Sequence, residues 1–320
     1  MNSRQRILAA LSNEQPDRVP ILEVIDDPVI AAIAKILGFD TDKRGTEWEI
    51  LDRYCLFIKE LGLDATVSGF SQSTEPIANG LLRNRYGMVF RPSAHGEAML
   101  VDGPIREPAD LVGYHLPMPS LDDFDALQYT METVGSDTAH FLSVGDPFKT
   151  SWFLRGSMEK LMLDYVLHPG LVHDLARMAT DLSLAVIEFG AQLGVDGMFM
   201  GGDLAGNQTT LMSPRHYREY IKPYHKELVN SAHEKGLKFI KHTDGNLWPI
   251  LDDFVEVGFD AFHPVQPQCM DIVEVKQYLA GKMCIIGNID CMELLPSGTE
   301  EEVEIAVKET IEAVAGGGGY

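Results

Sequence analysis

The chain is poor in cysteine. Four residues, Cys55, Cys269, Cys284 and Cys291, are spread over 320 positions and form no CxxC pair. That excludes a disulfide framework and predicts reduced thiols in a cytoplasmic protein, with Cys284 and Cys291 as buried thiols. Long apolar runs are missing, so no membrane span is expected. Met1-Asn-Ser-Arg-Gln-Arg6 leads straight into an amphipathic pattern and does not read as a signal peptide. Basic residues are scarce: 26 Lys and Arg against 48 Asp and Glu leave a net charge of −22, which argues against nucleic acid as a partner. No GxGxxG opens a helix after an early strand. Gly316–Gly319 lacks the Lys-Ser/Thr of a phosphate loop and reads as a flexible linker.

What is present is a βα rhythm in a chain that is 45% hydrophobic, long enough for one large domain or two small ones and read here as a single domain, 1–320. Helices are expected over Ser3–Leu11, Pro28–Leu37 and Trp48–Leu61, and a strand over Val19–Val24. Residues 64–104 are mixed, with β-like runs at Ala65–Val67 and Gly87–Phe90, and Pro104–Phe124 reads as a surface excursion. Strands at Phe141–Val144, Gly197–Met200, Lys238–Lys241, Phe259–Phe262 and Met283–Ile286 then alternate with helices. Those helices are Met158–Leu167, Pro169–Leu193, a long one from Ser213-Pro214 to Lys235, Asp271–Leu279, and one starting at Thr299 with Glu302 as its capping-box partner.

The stretch Lys238–His263 organises the rest. Its first strand ends at His242 and Asp244, Asn246 caps the next helix, Gly258 stops it, and a second strand ends at His263. Five apolar strands thus end in polar residues: Asp146, Asp203, His242 with Asp244, His263, and Asn288 with Asp290. A doubly wound sheet brings two or three such ends to one switch point; this many favour a (β/α)8 barrel, possessing its chemistry at the C-terminal rim. The competing explanation for any single Asp is that it only caps the following helix. Chain order then calls for a strand after the last helix, where Ala315-Gly-Gly-Gly-Gly-Tyr320 stands, so the last strand is expected to be missing or the barrel to close differently.

Pro16-Asp17-Arg18-Val19-Pro20, Ser213-Pro214 before a helix with Tyr220, Pro223 and Tyr224, His242-x-Asp244-Gly245, Gly258-Phe-Asp-Ala261 and Gly287-Asn288-Ile-Asp290 together resemble the uroporphyrinogen decarboxylase superfamily. The resemblance implies a (β/α)8 TIM barrel and two candidate chemistries. True decarboxylases follow the opening motif with arginines for substrate carboxylates. Here no arginine occurs from residue 19 to 43, and Glu23, Asp26 and Asp27 stand in that region instead. Like charges there would repel a polycarboxylate. The other branch holds corrinoid-dependent methyltransferases, which bind zinc through a His-x-Cys motif and a later Cys; His242 matches the histidine and Asp244 replaces the first cysteine.

The resemblance therefore implies a methyltransferase moving a methyl group between a small methylated or methyl-accepting substrate and a corrinoid (a cobalamin-type cofactor) on a partner protein. His242 and Asp244 would hold zinc, with His263 or residues beyond Tyr320 as the third ligand. Asp146, Asp203 and Asp290 are the candidate catalytic groups, and Glu23, Trp152 and Asn288 the candidate substrate contacts, with Phe153 beside Trp152 as a pocket floor. The rivals are cofactor-independent decarboxylation, using Arg83, Arg85, Arg91 or Arg155, and a non-catalytic corrinoid- or metabolite-binding protein. A homodimer is a further expectation.

Overall fold

The computed structural model describes residues 1–25, 27–38, 47–93 and 98–320. Strands are β1 (Ala65–Ser68), β2 (Thr74–Pro76), β3 (Leu82–Asn84), β4 (Val89–Arg91), β5 (Met99–Asp102), β6 (Ala139–Val144), β7 (Gly197–Met200), β8 (Lys238–His242), β9 (Ala261–His263) and β10 (Cys284–Ile285). β1 and β6–β10 form one parallel sheet in the order β1-β6-β7-β8-β9-β10. Spatial order follows chain order without reversal, so the sheet has no switch point of the doubly wound kind and winds in one sense, as a barrel does.

Two extended segments flank these six strands. Asp64 N–H donates to Ile21 O (2.8 Å) on the β1 side, and Ile285 N–H donates to Gly319 O (3.1 Å) on the β10 side. The flanks meet where Gln15 Oε1 accepts from the amides of Gly317 and Gly318, at 2.8 and 3.0 Å. The fold is thus a barrel of eight staves whose backbone ladder joins six. The expected strand Val19–Val24 lies extended outside the ladder; Pro20, having no N–H, cannot donate to one. The expected glycine linker is wrong: Gly318 and Gly319 are buried and belong to the closing stave.

Alternation along the strands fills two cores. Phe141, Phe199, Ile240, Ala261 and Cys284 point inward and meet Ile7 and Leu11 of the Ser3–Leu11 helix, which plugs the barrel. Leu142, Met198, Met200, Phe239 and Phe262 point outward under the helical layer. Met198, Met200 and Met212 are therefore core residues. His242 shares the inward face with Ile240, and His263 with Ala261; Lys241 points outward and is fully buried.

β2–β5 form a separate antiparallel sheet, a topology the sequence did not reveal. It docks where Gly103 meets the helix Pro147–Arg155: a Cβ at Gly103 would lie 2.3 Å from Leu154 O. Arg155 Nη1 donates to Ile105 O (2.6 Å) and Arg106 O (2.7 Å). Ile105 and Phe124 are 0% exposed, so the 104–124 segment is anchored at both ends rather than a loose excursion. The helix expected from Ser213 to Lys235 breaks into Pro214–Tyr220 and Lys222–Glu234 at Ile221. Pro223 is the cause, because it cannot donate to Glu219 O and its ring crowds that carbonyl.

Candidate functional site

The β7 and β8 ends build the centre of the C-terminal rim. Gly202, with φ 120, lets the chain turn tightly after β7; a Cβ there would lie 2.8 Å from Asp146 Cβ. That turn delivers Asp203 opposite the β8 end. Asp203, His242 and Asp244 each offer one ligand atom within 4.8 Å of the others. His242 Nε2 lies 3.7 Å from Asp203 Oδ1, which also accepts from Asp244 N–H at 3.1 Å. Burial, and then the Asp203 charge, push the Asp244 carboxyl above its usual range. Two carboxylates and an imidazole suit a divalent metal: three protein ligands that leave a position open is the pattern of catalytic zinc, with oxygen and nitrogen donors at roughly 2.0–2.2 Å.

His263 stands behind His242 and outside that trio of ligand atoms. The two rings share a hydrogen bond between their Nδ1 atoms, 2.7 Å apart, with centroids 4.9 Å apart. Burial pushes the His242 imidazole down to about 4, with Lys241 and Lys149 lowering it further against the pull of Asp203. Burial, reinforced by His242, pushes His263 down to about 3. Both rings are therefore neutral at pH 7. Next to them, Val265 holds φ 56, a conformation costly for a β-branched side chain. Its buried side chain and the Asn288 Nδ2 bond to its carbonyl (3.0 Å) hold it there.

The other expected residues have different tasks. Asp146 caps the helix Pro147–Arg155 through Oδ1, accepting from Phe148 N (2.7 Å) and Lys149 N (3.2 Å). Its Oδ2 faces His225 Nε2 and Lys241 Nζ, both at 2.9 Å. Desolvation alone would raise this carboxyl, but the Lys241 and His225 contacts outweigh it and hold it well below the usual range. Asp290 Oδ1 accepts from Met292 N (2.7 Å) and Glu293 N (3.2 Å). So the capping explanation holds for Asp146, whose two oxygens are both engaged, while Asp290 closes the turn before the helix Leu294–Ser297, which has no side-chain cap. Glu23 is exposed at the end of the first stave, where its Oε1 accepts from Val24 N at 3.1 Å. Asp26 lies outside the described residues, as does the Asp27 side chain. Trp152 packs edge-on against Phe153, which lines the neighbouring cavity in its place.

Lys241 and His225 were missed by reading the sequence. Lys241 Nζ also donates to Gly202 O (2.7 Å) and His242 O (2.9 Å), tying the β7 turn to the β8 end. His225 Nδ1 faces Tyr217 Oη at 3.2 Å. The available signal was a lysine two residues after Phe239, on the side of the strand that points under the helices: a charge there needs a buried partner.

A cavity of about 260 Å³ opens beside the rim, lined by Phe70, Tyr86, Met88, Lys149, Phe153 and Gly201 among others. A larger, polar depression of about 530 Å³ lies between the small sheet and residues 104–112. It is lined by none of the strand-end residues, so the smaller cavity is the one that serves the rim. Three of the four arginines considered for a polycarboxylate are engaged elsewhere. Arg155 pairs with Asp164 (2.6 Å), Arg85 with Asp123 (2.8 Å) and Arg83 with Glu75 (3.6 Å), and Arg91 is exposed.

Comparison with known proteins finds relatives of both chemistries, among them a uroporphyrinogen decarboxylase of Syntrophotalea carbinolica that is 22% identical over 316 residues, 95% of this chain and 80% of that protein. The profile described as uroporphyrinogen decarboxylase (URO-D) matches residues 54–320. A methylated-thiol–coenzyme M methyltransferase of Methanosarcina mazei is 30% identical over 146 residues, 45% of this chain and 37% of that protein. The methylcobamide:CoM methyltransferase MtaA of Methanosarcina barkeri is 24% identical over 328 residues, covering 99% of this chain and 92% of that protein. A solved methyltransferase structure from Methanosarcina mazei superposes with a TM-score of 0.76 at 21% identity, over 98% of this chain and 90% of that one, and shares the fold.

Proposed function

This chain belongs to the uroporphyrinogen decarboxylase family, and from that premise we propose that it is a methyltransferase, moving a methyl group between a small substrate and a corrinoid carried by a partner protein. The observation that carries the reading is the meeting of Asp203, His242 and Asp244 at the rim. The full-length similarity to a protein named as a methylcobamide:CoM methyltransferase supports it.

Asp203, His242 and Asp244 would hold zinc, which when bound supplies Lewis acidity to the heteroatom that bears or receives the methyl group. Replacing cysteine by Asp244 hardens the donor set and suits an ether or hydroxyl substrate better than a thiol. His263 orients His242 through the Nδ1 contact, and Lys241 holds the backbone on either side of the ligands. Decarboxylation of a porphyrinogen is the weaker reading, since Arg83, Arg85 and Arg155 are already paired with carboxylates.

The test is methyl transfer itself. The protein, loaded with zinc, is mixed with cob(I)alamin and candidate methyl ethers, and methylcobalamin formation is followed in the visible spectrum. His242→Ala should reduce the rate by at least about 100-fold. Turnover of uroporphyrinogen at enzymatic rates, with no methyl transfer to any corrinoid, would reverse the assignment.

A further inference from the structure

The 260 Å³ cavity beside the rim carries two features that an ordinary packing void lacks. Tyr86 lines it and is 3% exposed, yet among the described residues its hydroxyl has no hydrogen-bond partner. A buried hydroxyl left unpaired has lost its water without gaining a partner, which is costly. Lys149 lines it as well, and among the described residues no carboxylate comes within ion-pair range of its ammonium; its neighbour is the Phe153 ring, 5.6 Å away. Other described cations without a carboxylate partner, such as Lys35, Lys59 and Lys160, are exposed to solvent, and Lys276 donates to the Gly318 and Gly319 carbonyls, whereas Lys149 is half-buried in a cavity wall. Lys241, Lys222 and Arg155 each have an acidic partner at 2.9 Å or closer. Lys149 and Tyr86 thus line one cavity as an unpaired cation and an unpaired hydroxyl donor; its walls also carry Ser143, Thr150, Ser183 and the Asp146 carboxylate, which Lys241 and His225 already pair, so an anion is the ligand that would satisfy both open groups.

Size and position narrow the class. An apolar cavity of about 150 Å³ admits benzene. At 260 Å³, with Phe70, Tyr86, Met88 and Phe153 in its walls, this one has room for a single ring and a few small substituents. It also adjoins the candidate metal ligands: Gly201 lines it, and a Cβ on Gly202 would lie 3.3 Å from Lys149 Cβ, one residue before Asp203.

We propose that this cavity binds a single-ring aromatic carboxylate, with the ring among the aromatic walls, the anion on Lys149 and one of its oxygens accepting from the Tyr86 hydroxyl. The proposal names the substrate class for the methyl-transfer reading and rests on that reading for the ligand's fate, not for its binding.

Calorimetric titration of the whole chain separates the two. Three probes are used: 4-methoxybenzoate, its neutral isostere 4-methoxybenzamide, and 1-propanesulfonate, an anion without a ring. The wild type should prefer the benzoate to the benzamide by about tenfold or more, and Lys149→Met should erase that preference while keeping benzamide affinity within about twofold. Retained benzamide binding shows that the variant's cavity is intact. Tyr86→Phe should weaken the benzoate by about three- to tenfold. Equal affinity for benzoate and benzamide, an undiminished preference in Lys149→Met, propanesulfonate binding as tightly as the benzoate, or no binding of either aromatic probe overturns the proposal. Benzoate binding as described, without methyl transfer to any corrinoid, sinks the proposed function and leaves this site standing.

Discussion

His242 and His263 face each other through Nδ1 atoms 2.7 Å apart, and only one of the two can carry the proton between them. If His263 donates, His242 keeps its proton on Nε2, the atom on the Asp203 side, and has no lone pair there for a metal. If His242 donates, Nε2 is free to ligate and His263 is the acceptor. Metal binding therefore selects the second tautomer, and His263 acts as the outer partner that metal-bound histidines commonly have. His263→Phe should weaken zinc binding by about 10- to 100-fold. Asp203→Asn, which removes a ligand charge, should weaken it more. Competition against a chromophoric chelator gives both constants; equal affinities in wild type and Asp203→Asn would remove Asp203 from the ligand set.

The Asp146–Lys241 pair is buried on both sides, with 0% of either side chain exposed. Lys241→Met leaves Asp146 Oδ2 with His225 as its one partner and removes the cation that neutralises the buried carboxylate, which should destabilise the fold by about 3–5 kcal/mol. The double variant Lys241→Met/Asp146→Leu removes both charges and should lose less than the sum of the single losses. Urea unfolding of the four proteins completes the cycle; strict additivity would mean that the pair is not coupled.

Histidine 225 links stability to pH. Burial lowers its pKa from 6.5, against the pull of Asp146, so the ring stays neutral in the folded chain. The sign follows from proton counts. Below pH 6.5 the unfolded chain takes up a proton that the folded chain refuses, so the stability contributed by a neutral His225 is full above 6.5 and is lost as pH falls toward the depressed folded value. His225→Gln removes one such proton, and the slope of unfolding free energy between pH 5 and 6 should flatten by up to about 1.4 kcal/mol per pH unit. Unfolding midpoints across that range, in variant and wild type, measure the difference; parallel profiles would assign the acid sensitivity to other groups.

The parallel part of the fold was legible because each strand from Phe141 onward is a short apolar run closed by a polar turn, and local chemistry such as the Ser213 and Thr299 caps reads directly from sequence; Asn246, expected as a cap, instead closes a turn by accepting from Trp248 N, and the helix Leu251–Val257 has no side-chain cap. The ligand trio was legible as strand ends, but not its membership: Asp203 joins His242 because of the tight Gly202 turn, a tertiary fact. Long-range ion pairs were hidden for the same reason. Asp17 and Arg18, read as part of a family motif, tie the first stave to its neighbour: Arg18 Nη1 and Arg6 Nη1 hold the fully buried Asp64 at 2.7 and 2.9 Å, and Asp17 holds Arg6 at 2.6 Å. Composition also misled at residues 316–319, where four glycines look like a linker because nothing local shows what lies against them.

Those glycines give the sharpest test of how the barrel closes. Gly316 has open space where a Cβ would go, and its φ is not positive. Gly318 has φ 78, and a Cβ there would lie 2.5 Å from the Glu14 carbonyl carbon and 2.7 Å from Asn13 O, both backbone atoms that cannot swing aside. A flexible linker would tolerate alanine at both sites. A closing stave would tolerate it only at Gly316, where the lost chain entropy of the unfolded state should stabilise the fold by up to about 1 kcal/mol. Gly318→Ala must adopt a left-handed conformation and push apart the contact between the first and last staves, which should destabilise by about 2 kcal/mol or more. Thermal unfolding of the two single variants decides the matter, and equal midpoints would return this segment to the linker that its composition suggests.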